Sequence, residues 1–204
     1  MTGLTSVTIP AGVTIIESSL FYGCTGLVSV SIPRGVTIIS DSAFSGCTGL
    51  TSITIPDTVT IISGFAFTNC TSLTSVTIPD SVTRIGMSAF CGCTSLTSVI
   101  IPGSLSRLGE GAFYDCTALT SVTISDGVTS IGLAAFYNCS HLTSIAIPSS
   151  VTTIEDGVFI NCARLTSITF SGTKAQWNNI KKYAYFTSDT NHCTIHCTDG
   201  DIAK

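Results

Sequence analysis

Cysteine and histidine are the residue types in this sequence with the widest chemistry, and their spacing divides them into two groups. The 204-residue chain contains ten cysteines and three histidines. Seven cysteines recur every 23 residues, at Cys24, Cys47, Cys70, Cys93, Cys116, Cys139 and Cys162. Cys91 lies outside this series, and Cys193 and Cys197 alternate with His192 and His196. Thiols form disulfides, and thiols and imidazoles bind zinc, so both chemistries must be considered.

The seven regular cysteines are predicted to be free thiols. Residues one repeat apart stack with parallel side chains on strands ~4.8 Å apart. A disulfide instead needs Cβ atoms ~3.8 Å apart and a near-perpendicular dihedral. We therefore expect buried thiols that act as small apolar side chains. Cys91 is predicted to be more exposed, either as a tolerated free thiol or as a cross-link between two chains.

The segment from His192 to Cys197 offers four metal-ligating side chains within six residues. In a strand, its histidines and cysteines point to opposite faces. One face then supplies two ligands, fewer than the four of a structural zinc site. We predict no metal and no other cofactor.

Catalysis and nucleic-acid binding are both disfavoured by the sequence. No serine stands in a nucleophile-elbow motif, and no glycine-rich phosphate loop is present, so we predict that the protein is not an enzyme. The net charge is −4, and the basic residues are scattered except for Lys181 and Lys182, which argues against nucleic acid. No stretch approaches the ~20 apolar residues of a membrane span.

The elements that position these residues belong to a 23-residue repeat. Seven full repeats, numbered one to seven, cover residues 4–26, 27–49, 50–72, 73–95, 96–118, 119–141 and 142–164. In repeat four, Val76 and Ile78 are predicted to point inward and Ser75 and Thr77 outward, which is the alternation of a short strand. Pro79 ends this strand because it has no N–H to donate.

The second half of each repeat returns to the core. In repeat four we expect Val82 and Ile85 to point inward along a second short strand, followed by a small-large pair, Ala89 and Phe90, and by Cys93. A fixed period of this kind predicts a β-rich solenoid in which each repeat packs only on its neighbours.

The period ends after an eighth strand over residues 165–170, so we predict two regions, a solenoid over 1–170 and a C-terminal cap over 171–204. Thr173 and Gln176 form a capping-box pattern. Trp177, Ile180 and Ala184 then follow at helical spacing and predict a helix of about three turns, with Lys181 and Lys182 on its opposite side. A last strand is expected over residues 193–197.

The repeat Leu-x-x-Val-x-Ile-Pro-x-x-Val-x-x-Ile-x-x-x-Ala-Phe-x-x-Cys resembles the BspA-like, or Treponema-type, leucine-rich repeat. The segment from Gly172 to Trp177 resembles the closing segment of that family, and Ser125 departs from the pattern by replacing the proline. The resemblance implies a leucine-rich repeat array with a parallel sheet on its concave face and without catalytic residues. It also implies an extracellular or cell-surface location and adhesion to host matrix or cell-surface proteins.

The candidate binding surface is the row of outward strand positions. We name here Ser75, Thr77, Ser98, Ile100, Ser121 and Thr123. One interpretation of this Ser–Thr face is the concave recognition surface of a solenoid; the other is duplication of ordinary solvent-facing strand residues. Ile100 departs from the Ser–Thr pattern, and a position that varies on an otherwise repeated face is where we expect a ligand contact. Binding to ice or another ordered lattice is a further alternative, since the rows repeat at ~4.8 Å.

A second candidate surface is an apolar stripe in repeats one to three. Ile15, Ile38 and Ile61 occupy a position where later repeats carry Arg84, Arg107, Ser130 and Thr153. Clustered exposed isoleucines can mark an interface, whereas a packed turn would bury them.

These observations predict a non-enzymatic recognition or adhesion module that binds a protein partner. The alternative is a structural spacer, or a repeat element that associates with itself through its N-terminal end. At that end Leu4 begins the first strand almost at once. We therefore expect further repeats upstream, an end-to-end contact between molecules, or a frayed first repeat.

Overall fold

Each repeat folds as one turn of a β-solenoid that contains two short strands. The structure is a computed structural model that describes residues 3–183 and 193–202. The first strands are β1 (Ser6–Thr8), β3 (Ser29–Ser31), β5 (Ser52–Thr54), β7 (Ser75–Thr77), β9 (Ser98–Ile101), β11 (Ser121–Ile124), β13 (Ser144–Ile147) and β15 (Ser167–Phe170). The second strands are β2 (Ile15–Ile16), β4 (Ile38–Ile39), β6 (Ile61–Ile62), β8 (Arg84–Ile85), β10 (Arg107–Leu108), β12 (Ser130–Ile131) and β14 (Thr153–Ile154).

The alternation predicted for the first strands is confirmed. In repeat four, Ser75 and Thr77 are exposed, whereas Val76 and Ile78 are buried. Paired strands are parallel and shifted by one period, so that Ser98 lies beside Ser121. The register follows from burial, since a shift of one residue would turn the apolar side chains out to solvent.

Two parallel sheets run along the solenoid, and both are interrupted between repeats four and five. The first sheet is divided into β1–β3, β5–β7 and a block that begins at β9. The second sheet is divided into β2–β4–β6–β8 and a block that begins at β10. The interruption between β8 and β10 therefore coincides with the one between β7 and β9.

The turns that carry the Ala-Phe pair form a third hydrogen-bonded row, and this row continues across the interruption. The Ser88 N–H donates to Glu110 O at 2.8 Å, and the Phe90 N–H donates to Ala112 O at 2.9 Å. Ser88 has a φ of 53°, in the left-handed region that the tight turn requires. Repeats four and five are thus joined regularly on the turn side, whereas on the side of the first sheet the Thr97 N–H donates to Thr74 O at 3.3 Å.

The core is a set of stacked columns. The phenylalanine rings stack along the solenoid, with Phe67 and Phe90 5.1 Å apart and Phe90 and Phe113 5.3 Å apart between ring centroids. Rings at this distance make favourable offset contacts in addition to the apolar area that they bury. The seven regular cysteines lie beside them, and all seven are buried and free, as predicted.

The C-terminal cap closes the last repeat with a shorter helix than expected. Helix α1 covers Lys174–Asn179, and Thr173 and Gln176 form the predicted capping box. The prediction of three turns was wrong, because Lys181 and Lys182 form strand β16 and pair with β14. Ala184 lies outside the described residues.

Trp177 anchors this cap. It is buried and packs edge-on against Phe170, with 5.3 Å between the ring centroids. The ammonium group of Lys182 donates to Trp177 O and lies 5.0 Å from the indole centroid. Lys182 therefore does not lie on a solvent face, and burial lowers its pKa. Strands β17 (Thr194–Cys197) and β18 (Gly200–Ile202) follow, and β17 continues the first sheet.

Candidate functional site

The outward side chains of the first strands, here named the strand face, bring most of the predicted binding residues together. Ser98 and Ser121 are register partners, and so are Ile100 and Thr123. These four side chains are exposed. They form a continuous surface across β9 and β11.

Ser75 and Thr77 lie on the other side of the sheet interruption. Together with Ser98 and Ile100 they line a cleft of about 310 Å³. Ile100 is 64% exposed, although Thr77 and Thr123 occupy the same position in the repeats beside it. An exposed isoleucine beside a cleft gives this polar surface one apolar contact point.

The hydroxyl groups of the strand face are free to bind a partner. In the described part of the chain, no hydrogen bond engages the side chains of Ser75, Thr77, Ser98, Ser121 or Thr123. Each hydroxyl therefore keeps a donor and two acceptor sites toward solvent.

The threonines just before these strands behave differently. The Thr97 hydroxyl donates to Thr74 O at 3.4 Å, and the Thr120 hydroxyl donates to Thr97 O at 3.0 Å. Both rows are exposed and rich in hydroxyls, so composition alone does not separate the structural row from the available row. The two rows differ in position: the threonines that bond to the backbone come just before the strand, whereas the available hydroxyls lie at outward positions of the strand itself.

The isoleucine stripe lies on the second sheet and is only partly exposed. Ile15, Ile38 and Ile61 are register neighbours, and Arg84 follows Ile61 in the same row. Ile15 is 39% exposed, whereas Ile38 and Ile61 are half-buried. Packing thus covers a large part of the stripe, and its role as an interface stays a prediction.

The regular thiols have a structural role that sequence reasoning missed. The Cys47 thiol donates to Phe21 O at 3.1 Å, and the Cys93 thiol donates to Phe67 O at 3.3 Å. Burial raises the pKa of Cys47 to about 11, and Cys24 contributes to this rise. Burial also raises the pKa of Cys93 to about 12. Since the thiolate is the reactive form, these cysteines are inert near neutral pH.

Cys91 is half-buried, and burial and the nearby Asp115 raise its pKa. Its column continues with Tyr114 and Tyr137, whose rings stack at 4.6 Å. The neighbouring Asn138 amide donates to Asp115 Oδ1 at 2.7 Å. The 23-residue period places Tyr114 and Tyr137 in the column of Cys91, but the sequence did not predict the ring stacking or the hydrogen bond beside it.

The C-terminal histidines and cysteines are not assembled as a metal centre in the described residues. Cys193 is buried, and Cys197 is half-buried. His196 pairs with Asp201 at 2.9 Å. His192 lies outside the described residues, and residues 3–183 and 193–202 contain no group of three or more metal-ligating side chains.

Within the described ranges, no helix has the length and apolar character that a membrane crossing requires. The helix α1 has six residues.

The repeat pattern is matched by one family model, which is described as BspA type Leucine rich repeat region. It matches in six copies, over residues 1–116 and 60–192. No curated protein matches the sequence.

Solved structures of bacterial repeat proteins are similar to this chain. A leucine-rich repeat protein from T. pallidum is 34% identical, with a TM-score of 0.74 over 79% of this chain and 78% of that one. A leucine rich cell surface protein from Faecalibacterium prausnitzii is 32% identical, with a TM-score of 0.63 over 87% of this chain and 62% of that one. A leucine-rich repeat protein from Bacteroides ovatus is 27% identical, with a TM-score of 0.67 over 96% of this chain and 55% of that one. The chain thus spans less than two thirds of the length of the last two.

Proposed function

Because the chain belongs to the BspA-type leucine-rich repeat family, we propose that it is a non-enzymatic recognition module that binds a protein partner through its strand face. Leucine-rich repeat solenoids present extended surfaces of this kind. The partner class that we propose is a matrix or cell-surface protein. The place of action is outside the cell or on its surface, in keeping with the cell surface description of the F. prausnitzii protein.

The observation that carries this proposal is the unused hydrogen-bonding capacity of the strand face. Ser75, Thr77, Ser98, Ser121 and Thr123 are exposed, and in the described chain their hydroxyls have no protein partner. An extended partner can replace water at these hydroxyls without breaking hydrogen bonds within the protein. The rigid scaffold lowers the entropy cost of such pairing.

Ile100 provides the apolar anchor in this proposal. It is the most exposed of the large apolar side chains on the first strands, and it borders the cleft shared with Ser75 and Thr77. Binding energy in protein interfaces concentrates on a few such anchors, and the surrounding contacts exclude water.

Binding to an immobilised panel of extracellular-matrix proteins, measured by biolayer interferometry, tests the proposal. Ile100→Thr restores the residue found at 77 and 123 and should weaken binding at least tenfold. Leu133→Thr replaces an exposed apolar side chain in a turn, outside both candidate surfaces, and is the matched control that should leave binding unchanged. The proposal fails if no panel member binds, or if both variants bind like the unaltered protein.

A second candidate function is self-association through the N-terminal end. Leu4 and Val7 are only partly buried, whereas their equivalents in the next repeat, Leu27 and Val30, lie in the core. A second molecule packed on repeat one would cover this apolar surface. Light scattering over a range of concentrations tests the idea, and Val7→Ser should abolish any growth in mass. A constant monomer mass would rule self-association out.

A further inference from the structure

Two arginines lie one repeat apart at the point where the second sheet is interrupted. Arg84 is on β8 and Arg107 is on β10, and the strands in these positions elsewhere in the solenoid are register partners. Both arginines are exposed. Together with Gly86, Gly109 and Glu110 they line a cleft of about 430 Å³, here named the junction cleft.

Regular backbone hydrogen bonds close the second sheet at the neighbouring repeats. Between repeats three and four, the Thr83 N–H donates to Thr60 O at 2.9 Å. The Gly86 N–H donates to Ile62 O at 2.8 Å. The same two positions are bonded between repeats five and six.

The corresponding bonds between repeats four and five do not form in the described chain. They would join the Ser106 N–H to Thr83 O and the Gly109 N–H to Ile85 O. Both N–H groups therefore lie beside the junction cleft without a backbone acceptor. Backbone N–H groups that face a concave surface are donors for anions.

The charges of the junction cleft are unevenly compensated. Arg107 forms an ion pair with Glu155, with 2.8 Å between Nη2 and Oε1. Arg84 has no ion-pair or hydrogen-bond partner among the described side chains. Glu110 lines the cleft but forms no ion pair with either arginine in the described structure. One guanidinium group is thus fully available, and the other is shared.

Two glycines, Gly86 and Gly109, line the junction cleft beside the arginines. A Cβ atom at Gly109 would lie 2.6 Å from Ile85 O, so the close approach of the two repeats requires glycine there. Like charges placed opposite one another on neighbouring strands destabilise a sheet. Two guanidinium groups at the separation of one repeat therefore disfavour regular pairing of β8 with β10, and an anion between them would remove the repulsion.

We propose that the junction cleft binds a tetrahedral oxyanion group, as found in sulfate and phosphate esters. Arg84 supplies the main guanidinium contact, Arg107 supplies a second, and the N–H groups of Ser106 and Gly109 complete the donor set. Guanidinium groups match the geometry of such anions and bind them through two parallel hydrogen bonds. This site lies on the second sheet, so it does not depend on protein binding through the strand face.

Thermal unfolding with sodium sulfate, sodium phosphate or sodium chloride at equal ionic strength is the first test. Sulfate or phosphate should raise the Tm of the unaltered protein in a saturable way, relative to chloride. Arg84→Gln should abolish this rise. Arg164→Gln removes an exposed arginine elsewhere and should retain it. An equal rise in both variants would overturn the proposal, since it would reflect a general salt effect.

Isothermal titration distinguishes the sources of the anion. A sulfated heparin tetrasaccharide, its unsulfated counterpart and inositol hexakisphosphate are the probes. We expect at least one sulfated or phosphorylated probe to bind the unaltered protein at least tenfold more tightly than it binds Arg84→Gln. The unsulfated sugar should not bind. Equal affinity for the sulfated and unsulfated sugars would overturn the proposal.

A charge-release variant tests the role of Arg107. Glu155→Gln frees its guanidinium group and should tighten binding of the charged probe at least threefold. Asp80→Asn removes one exposed negative charge from a neighbouring turn and is the matched control. If both variants strengthen binding to the same extent, net charge accounts for the effect, and the defined site is rejected.

Discussion

At the scale of single residues, the repeated cysteine is better explained by its hydrogen bond than by any reactivity. Each regular thiol from Cys47 onward donates to the carbonyl of a phenylalanine 26 residues earlier in the chain. The same carbonyls also accept a backbone N–H, as Phe67 O does from Cys70 at 3.2 Å, so the thiol fills the second acceptor site of a buried oxygen. A small apolar side chain with one weak donor fits this position, and cysteine has both properties.

The ionisation of these thiols should make the protein sensitive to alkaline pH. The pKa of Cys93 is about 12 in the folded chain, because burial disfavours the thiolate. In the unfolded chain a thiol ionises near pH ~8.5. Between these values the unfolded state has released the proton and the folded state has kept it. The free energy of unfolding therefore falls as pH rises from about 8.5, by up to ~1.4 kcal/mol per pH unit for each such thiol.

Urea unfolding at pH values from 7 to 10.5 under reducing conditions measures this effect. Cys93→Ala should be less stable at pH 7 but lose stability less steeply above pH 8.5, since one buried thiol is gone. Both proteins contain the same tyrosines and lysines, so subtracting one slope of unfolding free energy against pH from the other removes the contribution of those residues. Parallel curves for the two proteins would show that this thiol does not contribute.

At the scale of secondary-structure elements, the cap depends on a short helix whose start is well defined. The Thr173 hydroxyl accepts a hydrogen bond from the Gln176 N–H at 3.2 Å, and Gln176 Oε1 accepts one from the Thr173 N–H at 2.8 Å. Thr173→Ala should destabilise the cap by ~1 kcal/mol. Trp177 is the only tryptophan in the chain and lies buried in the cap, so its fluorescence reports cap unfolding directly.

The exposed Asn178 offers a control for this experiment, because it lies on the same helix away from the cap contacts. Asn178→Ala should leave the fluorescence transition unchanged or slightly raise its midpoint, since alanine favours helix. A Thr173→Ala transition identical to that of the unaltered protein would mean that tertiary contacts of Trp177 alone hold the cap.

Local pattern predicted the strands and the helix start, but it could not predict pairing between distant segments. The outward Ser75 and the capping box at Thr173 follow from residues within a few positions of each other. The helix end does not, because Lys181 pairs with Thr153 across the second sheet. The candidate binding residues were harder to predict still, since exposed hydroxyls with and without a protein partner differ only in their position relative to the strand.

At the scale of the whole molecule, the hydrogen bonds of the turn row continue from repeat four to repeat five, whereas the regular strand pairing of both sheets is interrupted there. The Phe90 and Phe113 rings stack across the junction of repeats four and five, and the Cys116 thiol donates to Phe90 O at 3.2 Å. Both sheets are interrupted there. Stability in a repeat array is a sum of repeat terms and neighbour terms. Because the interaction between repeats four and five is weaker than at the other junctions, we expect repeats one to four and repeats five to seven to unfold separately.

Replacing one of the two arginines at the junction by an uncharged residue should join the two halves. Arg107→Thr removes the repulsion with Arg84 and introduces the residue found at position 153. The exposed ion pair to Glu155 that is lost contributes ~0–1 kcal/mol. Each backbone hydrogen bond regained contributes ~1 kcal/mol. Hydrogen exchange at the Gly109 amide should therefore slow, and the urea transition should become steeper. Arg164→Thr should change neither property. If Gly109 exchanges as fast in Arg107→Thr as in the unaltered protein, the interruption has a cause other than the paired arginines.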